Sequence, residues 1–418
     1  MKVLVVHNFY KQPGGEDQCV ADELALLKAR GHEVIPYSVH NDSIDGMGRL
    51  NLAARTIWSR TAYDAVRALI RAHRPQIAHF HNTFPLISPA AYYAARAEGV
   101  GVVQTLHNFR LLCPNALFFR NGRVCEECLG RSFSWPGIAH RCYRGSRIAS
   151  AATAAMTAVH RRLGTWRDAV DVYIALTQFS RQKFIAGGLP PQKLVIKPNF
   201  VHPDPLSACA LCSETTDGRR GQAEREYGIF VGRLSEEKGL QTLLAAWKKV
   251  RPLLPLKIVG DGPLATLVKE AAAEDPRIEW LGRKSLDQVL ALIGEASFLI
   301  VPSHCYETFG RVVIEAFALG TPVIASNLGA MAELVEDGAT GLRFEPGNPI
   351  DLATKIEHLV TASQQRAQMR QAARQAYERH YTAETNYRLL LAIYERILNG
   401  KPRIESESER GLITCGAT

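Results

Sequence analysis

Short apolar runs alternate with longer segments of helical periodicity along most of this 418-residue chain, and they do so in two separate series. Val- and Ile-rich runs that are separated by helices form βαβ units, in which a parallel sheet is buried between layers of helices. Each series therefore predicts one doubly wound, Rossmann-like domain, and the predicted fold class is α/β. We expect the carboxyl ends of the two sheets to face each other across a cleft. Ligands bind at the carboxyl ends of such sheets, so the cleft is the expected ligand site.

The same alternation predicts the individual elements. Strands are expected at residues 2–6, 33–37, 76–81, 102–107, 172–176 and 194–197, and then at 227–232, 256–259, 278–281, 298–301, 323–325 and 341–344. Helices are expected at 16–30, 63–73, 89–98, 180–186, 241–250, 264–273, 286–295, 311–319, 331–335, 350–360, 364–381 and 383–398.

The alternation stops between residues 204 and 226, where small and polar residues show no periodicity. We predict a linker there, because such composition is typical of connecting segments. The predicted organisation is an N-terminal domain at 1–203, the linker at 204–226, a C-terminal domain at 227–382, a final helix at 383–400 and a loose polar tail at 401–418.

Composition limits where the protein works. The sequence has no apolar run of about 18 residues, so no membrane-spanning helix is predicted. The start, MKVLVVHNFY, becomes polar too soon for a signal peptide and predicts a first strand instead. We therefore expect a cytoplasmic protein.

The formal net charge of +9 is unevenly spread. Between Arg110 and Arg167 the chain carries ten Arg and two Glu, which gives +8. A basic face attracts nucleic acid, an anionic membrane or an anionic ligand. We disfavour nucleic acid because the aromatic residues of this region do not recur at a stacking interval. We favour peripheral contact with the inner face of an anionic membrane or with an anionic acceptor, and a solubilising surface is the alternative.

Two cations follow the first predicted strand of the second domain. Arg233 and Lys238 stand in the segment GRLSEEKG, where Gly232 allows the chain to turn tightly. Cations are disfavoured at the start of a helix, so this pair indicates an anionic guest. Arg supplies a geometric fork and Lys a point charge, which together suit a pyrophosphate. Solvated surface charges are the alternative.

Two carboxylates, Glu307 and Glu315, flank a predicted helix start in the segment ETFGRVVIE. Phe309 and Gly310 fall at that start, where free backbone N–H groups and the positive end of the helix dipole bind anions. Eight residues advance a helix by about 80° net, so both carboxylates are expected to face one cleft and to accept from hydroxyl groups. Two surface acids on an ordinary helix are the alternative.

Glycines and histidines mark strand ends in the first domain. Gly14 and Gly15 follow the first strand and would let the backbone approach a ligand, although they do not match GxGxxG and a plain turn is the alternative. His81 and His107 end two later strands, where an imidazole binds a sugar hydroxyl or relays a proton. A structural contact is the alternative for each histidine.

Four cysteines lie in the basic region with the spacing C-x11-C-x2-C-x13-C, namely Cys113, Cys125, Cys128 and Cys142. A CxxC flanked by two more cysteines in a Gly- and Arg-rich insert is typical of a structural zinc site with four thiolate ligands. Disulfides are disfavoured in a reducing cytoplasm. We predict structural zinc in this insert, at about residues 110–145, with free thiols or a redox pair as alternatives.

Several of these segments together resemble a known family. They are PGGE near the start, HFHN and TLHN at strand ends, GRLSEEKG, GDGPL, the E-x7-E of Glu307 and Glu315, and GTPVIAS, and they span about residues 1–360. The chain is similar to family 4 glycosyltransferases of the retaining GT-B type. The four-cysteine insert is not general to that family and resembles a subgroup linked to surface-polysaccharide assembly.

The resemblance implies that a sugar moves from a UDP- or GDP-linked donor to an acceptor hydroxyl, with retention and with no catalytic cofactor. It implies that the N-terminal domain binds the acceptor, either a lipid-linked or a soluble glycan. It gives roles to eight residues: Arg233 and Lys238 hold the diphosphate, Glu307 and His107 meet the donor sugar, Glu315 meets the ribose, Phe309 and Gly310 supply backbone contacts near sugar and phosphate, and Gly15 closes onto the phosphates. We also count Gly232, at the turn before Arg233, among the donor-binding residues. The final helix is expected to cross back onto the N-terminal domain.

The segment before Glu307 departs from the family pattern. His304, Cys305 and Tyr306 stand where many members carry small or acidic residues, so the donor sugar is left open. A nucleotide-sugar epimerase or a hydrolase on the same scaffold is the alternative among enzymes. A zinc-containing nucleic-acid binding module is the alternative of another class, although it leaves Glu307 and Glu315 unexplained.

Overall fold

The computed structural model describes residues 1–12, 14–210, 227–251 and 253–400. The predicted tail at 401–418 and most of the predicted linker, 211–226, lie outside the described residues. The first residues of that linker form a short helix, Pro205–Ala210, where the sequence shows no periodicity.

The N-terminal domain is built on one parallel sheet with helices on both faces. Its strands are β1 (Lys2–Phe9), β2 (Glu33–His40), β3 (Ile77–Phe80), β4 (Gly101–Thr105), the hairpin of β5 (Phe119–Arg120) and β6 (Arg123–Val124), β7 (Val172–Ala175) and β8 (Leu194–Ile196). Its helices are α1 (Gly15–Ala29), α2 (Arg49–Ile57), α3 (Arg60–His73), α4 (Ala90–Ala97), α5 (Trp135–Ala139), α6 (Arg147–Arg162), α7 (Thr165–Asp168) and α8 (Gln178–Ala186). Within the described residues the sheet order is β2-β1-β3-β4-β7-β8.

The C-terminal domain repeats this architecture. Its strands are β9 (Gly228–Val231), β10 (Leu256–Val259), β11 (Ile278–Gly282), β12 (Phe298–Val301), β13 (Val323–Ser326) and β14 (Gly341–Phe344). The remaining helices are α9 (Pro205–Ala210), α10 (Leu240–Trp247), α11 (Ala265–Glu274), α12 (Leu286–Glu295), α13 (Arg311–Ala318), α14 (Gly329–Leu334), α15 (Pro349–Thr361), α16 (Ser363–His380) and α17 (Ala383–Asn399). The described strands of this sheet are parallel in the order β11-β10-β9-β12-β13-β14.

Both predicted Rossmann-like sheets are confirmed, and each predicted strand is present with its ends shifted by at most a few residues. Their interiors are filled by aliphatic and aromatic side chains, because strands of a parallel sheet are covered on both faces. The strand order reverses between β1 and β3 in one sheet and between β9 and β12 in the other. Ligands bind beyond the carboxyl ends of the strands at such reversals, so these positions locate the candidate site.

Helix α6 is an element that the sequence analysis did not predict. It follows the cysteine insert, and Ser146 caps it by accepting from Ala149 N. The Ala-rich segment 149–158 has high helix propensity and follows a good capping residue, so the sequence did carry the signal.

The last helix, α17, packs on the first sheet. Leu390, Ile393, Tyr394 and Ile397 are buried together with residues of β1, β3, β4 and β7. The described chain therefore ends on the same domain that contains its first strand.

Candidate active site

The loops that follow β9 and β12 meet at the strand-order reversal of the second sheet. The backbone N–H of His304 donates to Glu237 O at 2.8 Å and ties the two loops together. Gly239 has φ 71°, and a Cβ added there would lie 1.7 Å from Pro302 O. Only glycine allows this approach, which brings Lys238 next to the β12 loop.

Lys238 and Glu307 form an ion pair in this loop crossing. Lys238 Nζ donates to Glu307 Oε1 at 2.6 Å, and Ser303 Oγ donates to the same oxygen at 2.9 Å. Burial disfavours both charges, but the Lys238 ammonium outweighs burial and lowers the pKa of Glu307. At Lys238, the Glu307 carboxylate outweighs burial and raises the pKa of the ammonium group. Both groups are therefore charged at neutral pH, and both keep part of their surface open.

The other predicted cation stays apart from this pair. Arg233 is exposed and makes no ion pair with any residue in the described ranges. Gly232 packs closely against Gly260. A Cβ added to Gly260 would lie 1.9 Å from Gly232 O, so the backbones of these two segments approach too closely for a side chain at Gly260. Of the two cations predicted to hold a diphosphate, the structure thus places only Lys238 beside Glu307.

Helix α13 begins directly after this loop, as the sequence predicts. Gly310 is its N-cap with φ 116°, and a Cβ there would meet Met331 Cε at 2.3 Å. Phe309 is buried, so only its backbone can face a ligand. The N–H groups of the first helical turn have no partner within the helix, which favours an anion at this end.

Glu315 is more enclosed than the sequence predicts. It is 6% exposed, and Arg311 Nε donates to its Oε1 at 2.7 Å. Arg311 also pairs with Asp22 Oδ2 of α1 at 2.7 Å and contacts Cys19 Sγ. Gly15 lies against the same arginine, since an added Cβ would be 3.8 Å from Arg311 Cβ. Sequence analysis missed Arg311, which joins the two domains beside the predicted donor site.

His107 sits opposite the β12 loop, on the first domain. Its backbone O accepts from Thr308 Oγ1 at 2.6 Å. The residue next to Glu307 therefore contacts the first domain across the cleft. Its Nε2 lies 3.0 Å from His81 Nδ1. Burial lowers the pKa of His107 well below the ordinary value, and it lowers the pKa of His81 to about 3. Both imidazoles are therefore neutral at pH 7.

A buried cluster of polar groups supports these histidines from below. Glu23 Oε1 lies 3.0 Å from His79 Nδ1 and 3.3 Å from His81 Nε2, and Lys197 Nζ donates to Glu23 Oε2 at 3.0 Å. Burial opposes the charge of Glu23, but Lys197 outweighs it and the pKa of Glu23 is lowered. Helix α17 closes the cluster with Tyr394, whose hydroxyl lies 2.8 Å from His79 Nδ1.

Three potential metal ligands lie in this cluster. The ligand atoms of Glu23, His79 and His81 are all within 4.8 Å of one another. Both nitrogens of His79 already contact hydroxyls, of Tyr394 and Thr105, and Lys197 neutralises Glu23. Glu23 Oε1 and His81 Nε2 are buried without a hydrogen-bond partner among the described residues and face each other at 3.3 Å. The rest of the cluster forms a structural network behind His81 and His107.

The cysteine insert reaches over the cleft from the first domain. Glu126, inside the CxxC, pairs with Lys183 at 2.5 Å and bonds the Tyr306 hydroxyl of the β12 loop. Burial and Glu126 raise the pKa of Tyr306 to about 12. At the tip of the β5–β6 hairpin, a Cβ on Gly122 would lie 3.7 Å from Glu236. The insert thus contacts both loops that carry Lys238 and Glu307.

The four cysteines of the insert interact electrostatically with one another. Their sulfur atoms lie farther apart than the ligand atoms of Glu23, His79 and His81, which are within 4.8 Å of one another. Burial and the three other thiols raise the pKa of Cys128 to about 11. Burial raises the pKa of Cys113, and its Sγ donates to Asn115 Oδ1 at 2.9 Å. Four thiolates are a ligand set that structural zinc prefers. By type and number, these donors fit zinc.

Two Rossmann-like domains that face each other across a cleft define the GT-B class of folds, and the chain has this fold. The sequence model described as glycosyltransferase family 4 matches residues 13–205, and the one described as glycosyl transferases group 1 matches residues 216–376. Together the two matches cover most of the chain, which therefore belongs to the family 4 glycosyltransferases.

Curated relatives match shorter stretches. An uncharacterized glycosyltransferase of Methanocaldococcus jannaschii is 38% identical over 141 residues, which cover 33% of this chain and 39% of the relative. A glycogen synthase of Mycobacterium tuberculosis is 35% identical over 166 residues, 38% of each chain. The chain thus spans about two fifths of the length of these relatives.

Solved structures match the whole fold at low identity. HepE of Anabaena, in complex with UDP and glucose, has a TM-score of 0.65 at 20% identity and covers 95% of this chain and 100% of its own. Sucrose-phosphate synthase of Thermosynechococcus elongatus has a TM-score of 0.68 at 16% identity, covering 96% and 100%. At these identities the likeness shows the fold alone.

Proposed function

We propose that the protein transfers a sugar from a UDP- or GDP-linked donor to an acceptor hydroxyl with retention, in polysaccharide or glycoconjugate biosynthesis. The observation that carries this proposal is the Lys238–Glu307 ion pair, 2.6 Å long, at the strand-order reversal opposite His107. A cation beside a carboxylate suits a ligand that has both phosphates and hydroxyls. The complexes of HepE with UDP and with UDP-glucose support a UDP donor.

The charges of the site fit the chemistry of the leaving group. As the glycosidic bond breaks, negative charge develops on the diphosphate, and Lys238 together with the first turn of α13 would stabilise it. Arg233 is exposed near the same loop and would complete the clamp when donor binds. These residues supply the positive charge from the chain itself.

Carboxylates would position the donor hydroxyls. Within the described residues, Ser303 and Lys238 both bond Oε1 of Glu307, which leaves Oε2 to accept from the sugar. Arg311 likewise engages Oε1 of Glu315, and Oε2 of Glu315 would accept from the ribose. The neutral imidazole of His107 would face the sugar from the other domain, with Gly15 close to the phosphates.

The test is an activity assay with matched ion pairs. We expect Glu307→Gln and Lys238→Met each to lower the rate of transfer by about 100-fold, which corresponds to about 3 kcal/mol of lost transition-state stabilisation. The control variants are Glu274→Gln and Lys248→Met, because Lys248 and Glu274 form an exposed ion pair of 2.9 Å in the same domain. Unchanged transfer by the first two variants, with UDP- and GDP-sugars tested in parallel, would contradict the site assignment.

The same assay separates the alternative functions. Release of free sugar without acceptor would identify a hydrolase, and interconversion of the donor sugar would identify an epimerase. Retention of nucleic acid with a steep dependence on salt, and no donor turnover, would favour the binding module instead.

We also propose that Cys113, Cys125, Cys128 and Cys142 hold a structural zinc ion. Four thiols in one insert match the preference of zinc, and the ion would draw the sulfurs into a tetrahedron and fix Glu126 against Tyr306. We expect one equivalent of zinc by elemental analysis, and loss of it together with a lower melting temperature in Cys128→Ser. Cys19→Ser is the control. Clearly substoichiometric zinc in freshly purified wild type would refute this proposal.

We place the protein in the cytoplasm at the inner face of a membrane, with a lipid-linked or soluble glycan as acceptor. None of the described helices has both the length and the hydropathy to cross a bilayer. The support for membrane contact is the excess of arginine between residues 110 and 167.

A further inference from the structure

Helix α6 exposes apolar side chains although much of its buried side is polar. Its buried residues are Ser150, Thr153, Ala154, Met156, Thr157 and His160. Ile148 and Val159 are exposed, and the half-buried Ala152 and Ala155 lie between them on the same helical stripe. A surface helix normally directs its aliphatic side chains toward the core. The exposed Ile148 and Val159 therefore lack the usual cover.

The neighbours of α6 extend this apolar surface. Helices α2 and α5 pack against it, and His160 Nε2 contacts Ile57 O at the end of α2 at 2.8 Å. Leu50 of α2 is 86% exposed, Trp135 of α5 is 55% exposed and Ile148 is 60% exposed. Phe133, Trp58 and Leu163 are exposed as well. We call the outer surface of α2, α5 and α6 the α6 face.

The charges around the α6 face are mostly positive. Residues 128–167 contain seven Arg and no Asp or Glu, and α2 adds Arg49 and Arg55 without an acid. Asp168, directly after this stretch, pairs with Arg167 at 2.9 Å. The Arg131 guanidinium lies 5.6 Å from the centre of the Trp135 ring, at the edge of the face. A second copy of the chain would bring arginine against arginine, which disfavours self-association through this face.

We propose that the α6 face docks on an anionic lipid surface, with Leu50, Trp135 and Ile148 entering the interface and the arginines contacting headgroups. Exposed aliphatic and aromatic side chains rimmed by Arg are the composition of helices that lie in the membrane interface. The inference deepens the membrane contact of the proposed function. It concerns a surface distinct from Lys238 and Glu307, so it can fail while glycosyl transfer stands.

Vesicle flotation of the full chain tests the inference without any measurement of activity. We expect wild type to float with vesicles that contain phosphatidylglycerol and not with phosphatidylcholine alone. Leu50→Glu and Ile148→Glu should each lower the vesicle partition coefficient about tenfold or more, because an aliphatic contact is lost and an anion is added. Arg147→Ala should lower it about fivefold, and more weakly at high salt.

The C-terminal domain offers matched controls. Leu253 is 90% exposed and Ile350 is 64% exposed, and Ile350 is the second residue of its helix, as Ile148 is. Leu253→Glu and Ile350→Glu should bind vesicles like wild type, and melting temperatures should show that all variants are folded. Equal binding by Leu50→Glu and Leu253→Glu would overturn the inference. So would failure of wild type to bind anionic vesicles, or a wild-type dimer that Leu50→Glu dissociates.

Discussion

Replacement of Arg311 by Met tests whether the two domains are joined as the structure has them. Arg311 pairs with Glu315 within α13 and with Asp22 on the other domain, and each contact is 2.7 Å long. The side chain of Arg311 is 10% exposed and both carboxylates are 8% exposed. Burial opposes the charge of Arg311, but Cys19, Glu315 and Asp22 outweigh it and raise its pKa further.

The expected magnitude follows from what the substitution leaves behind. Met fills much of the volume of Arg but leaves two buried carboxylates without their cation. Loss of one partner from a buried ion pair costs about 3–5 kcal/mol, since the remaining charge stays buried without compensation. The pair Arg60–Asp64 has the same i,i+4 spacing as Arg311–Glu315 but is mostly exposed. Arg60→Met should therefore cost less than about 1 kcal/mol.

Urea denaturation followed by tryptophan fluorescence measures both variants at pH 7. We expect Arg311→Met to lower the free energy of unfolding by about 3–5 kcal/mol relative to wild type. Adding Asp22→Asn to Arg311→Met should restore part of this loss, because one unpaired charge is removed. A difference below about 1 kcal/mol between Arg311→Met and Arg60→Met would refute the reasoning and indicate that the domains do not hold this contact in solution.

Two further predictions concern the histidines and a glycine. The pKa of His81 is lowered to about 3 and that of His107 is lowered as well, so the unfolded chain binds more protons than the folded one below about pH 6.5. Stability should therefore fall between pH 7 and pH 5, by about 2 kcal/mol from His81 and further in the same direction from His107, and a flat urea midpoint over this range would contradict it. Gly239→Ala should lower the melting temperature of the protein more than Gly338→Ala. Both glycines have a positive φ, but only at Gly239 would the added Cβ meet another atom, Pro302 O. Equal melting temperatures of the two variants would contradict the close approach of the two loops.

Local sequence signals were sufficient for the sheets and the loops of the site. Parallel strands need continuous apolar runs because both of their faces are covered, and these runs stand out in the sequence. The segments after β9 and β12 follow such runs directly, so Lys238 and Glu307 could be placed at one sheet edge. The helical nature of α6 was overlooked although its alanines and Ser146 indicated it.

The sequence by itself determined two Rossmann-like domains and the strand ends at which Lys238, Glu307 and His107 lie, because periodicity and strand-end position are local properties. Only the tertiary structure decided that Arg311 bridges to Asp22 and encloses Glu315. These contacts depend on how two separately folded domains are oriented, and no short-range pattern encodes that orientation. The family resemblance predicted that the final helix returns to the N-terminal domain, but only the tertiary structure places Tyr394 of α17 beside His79.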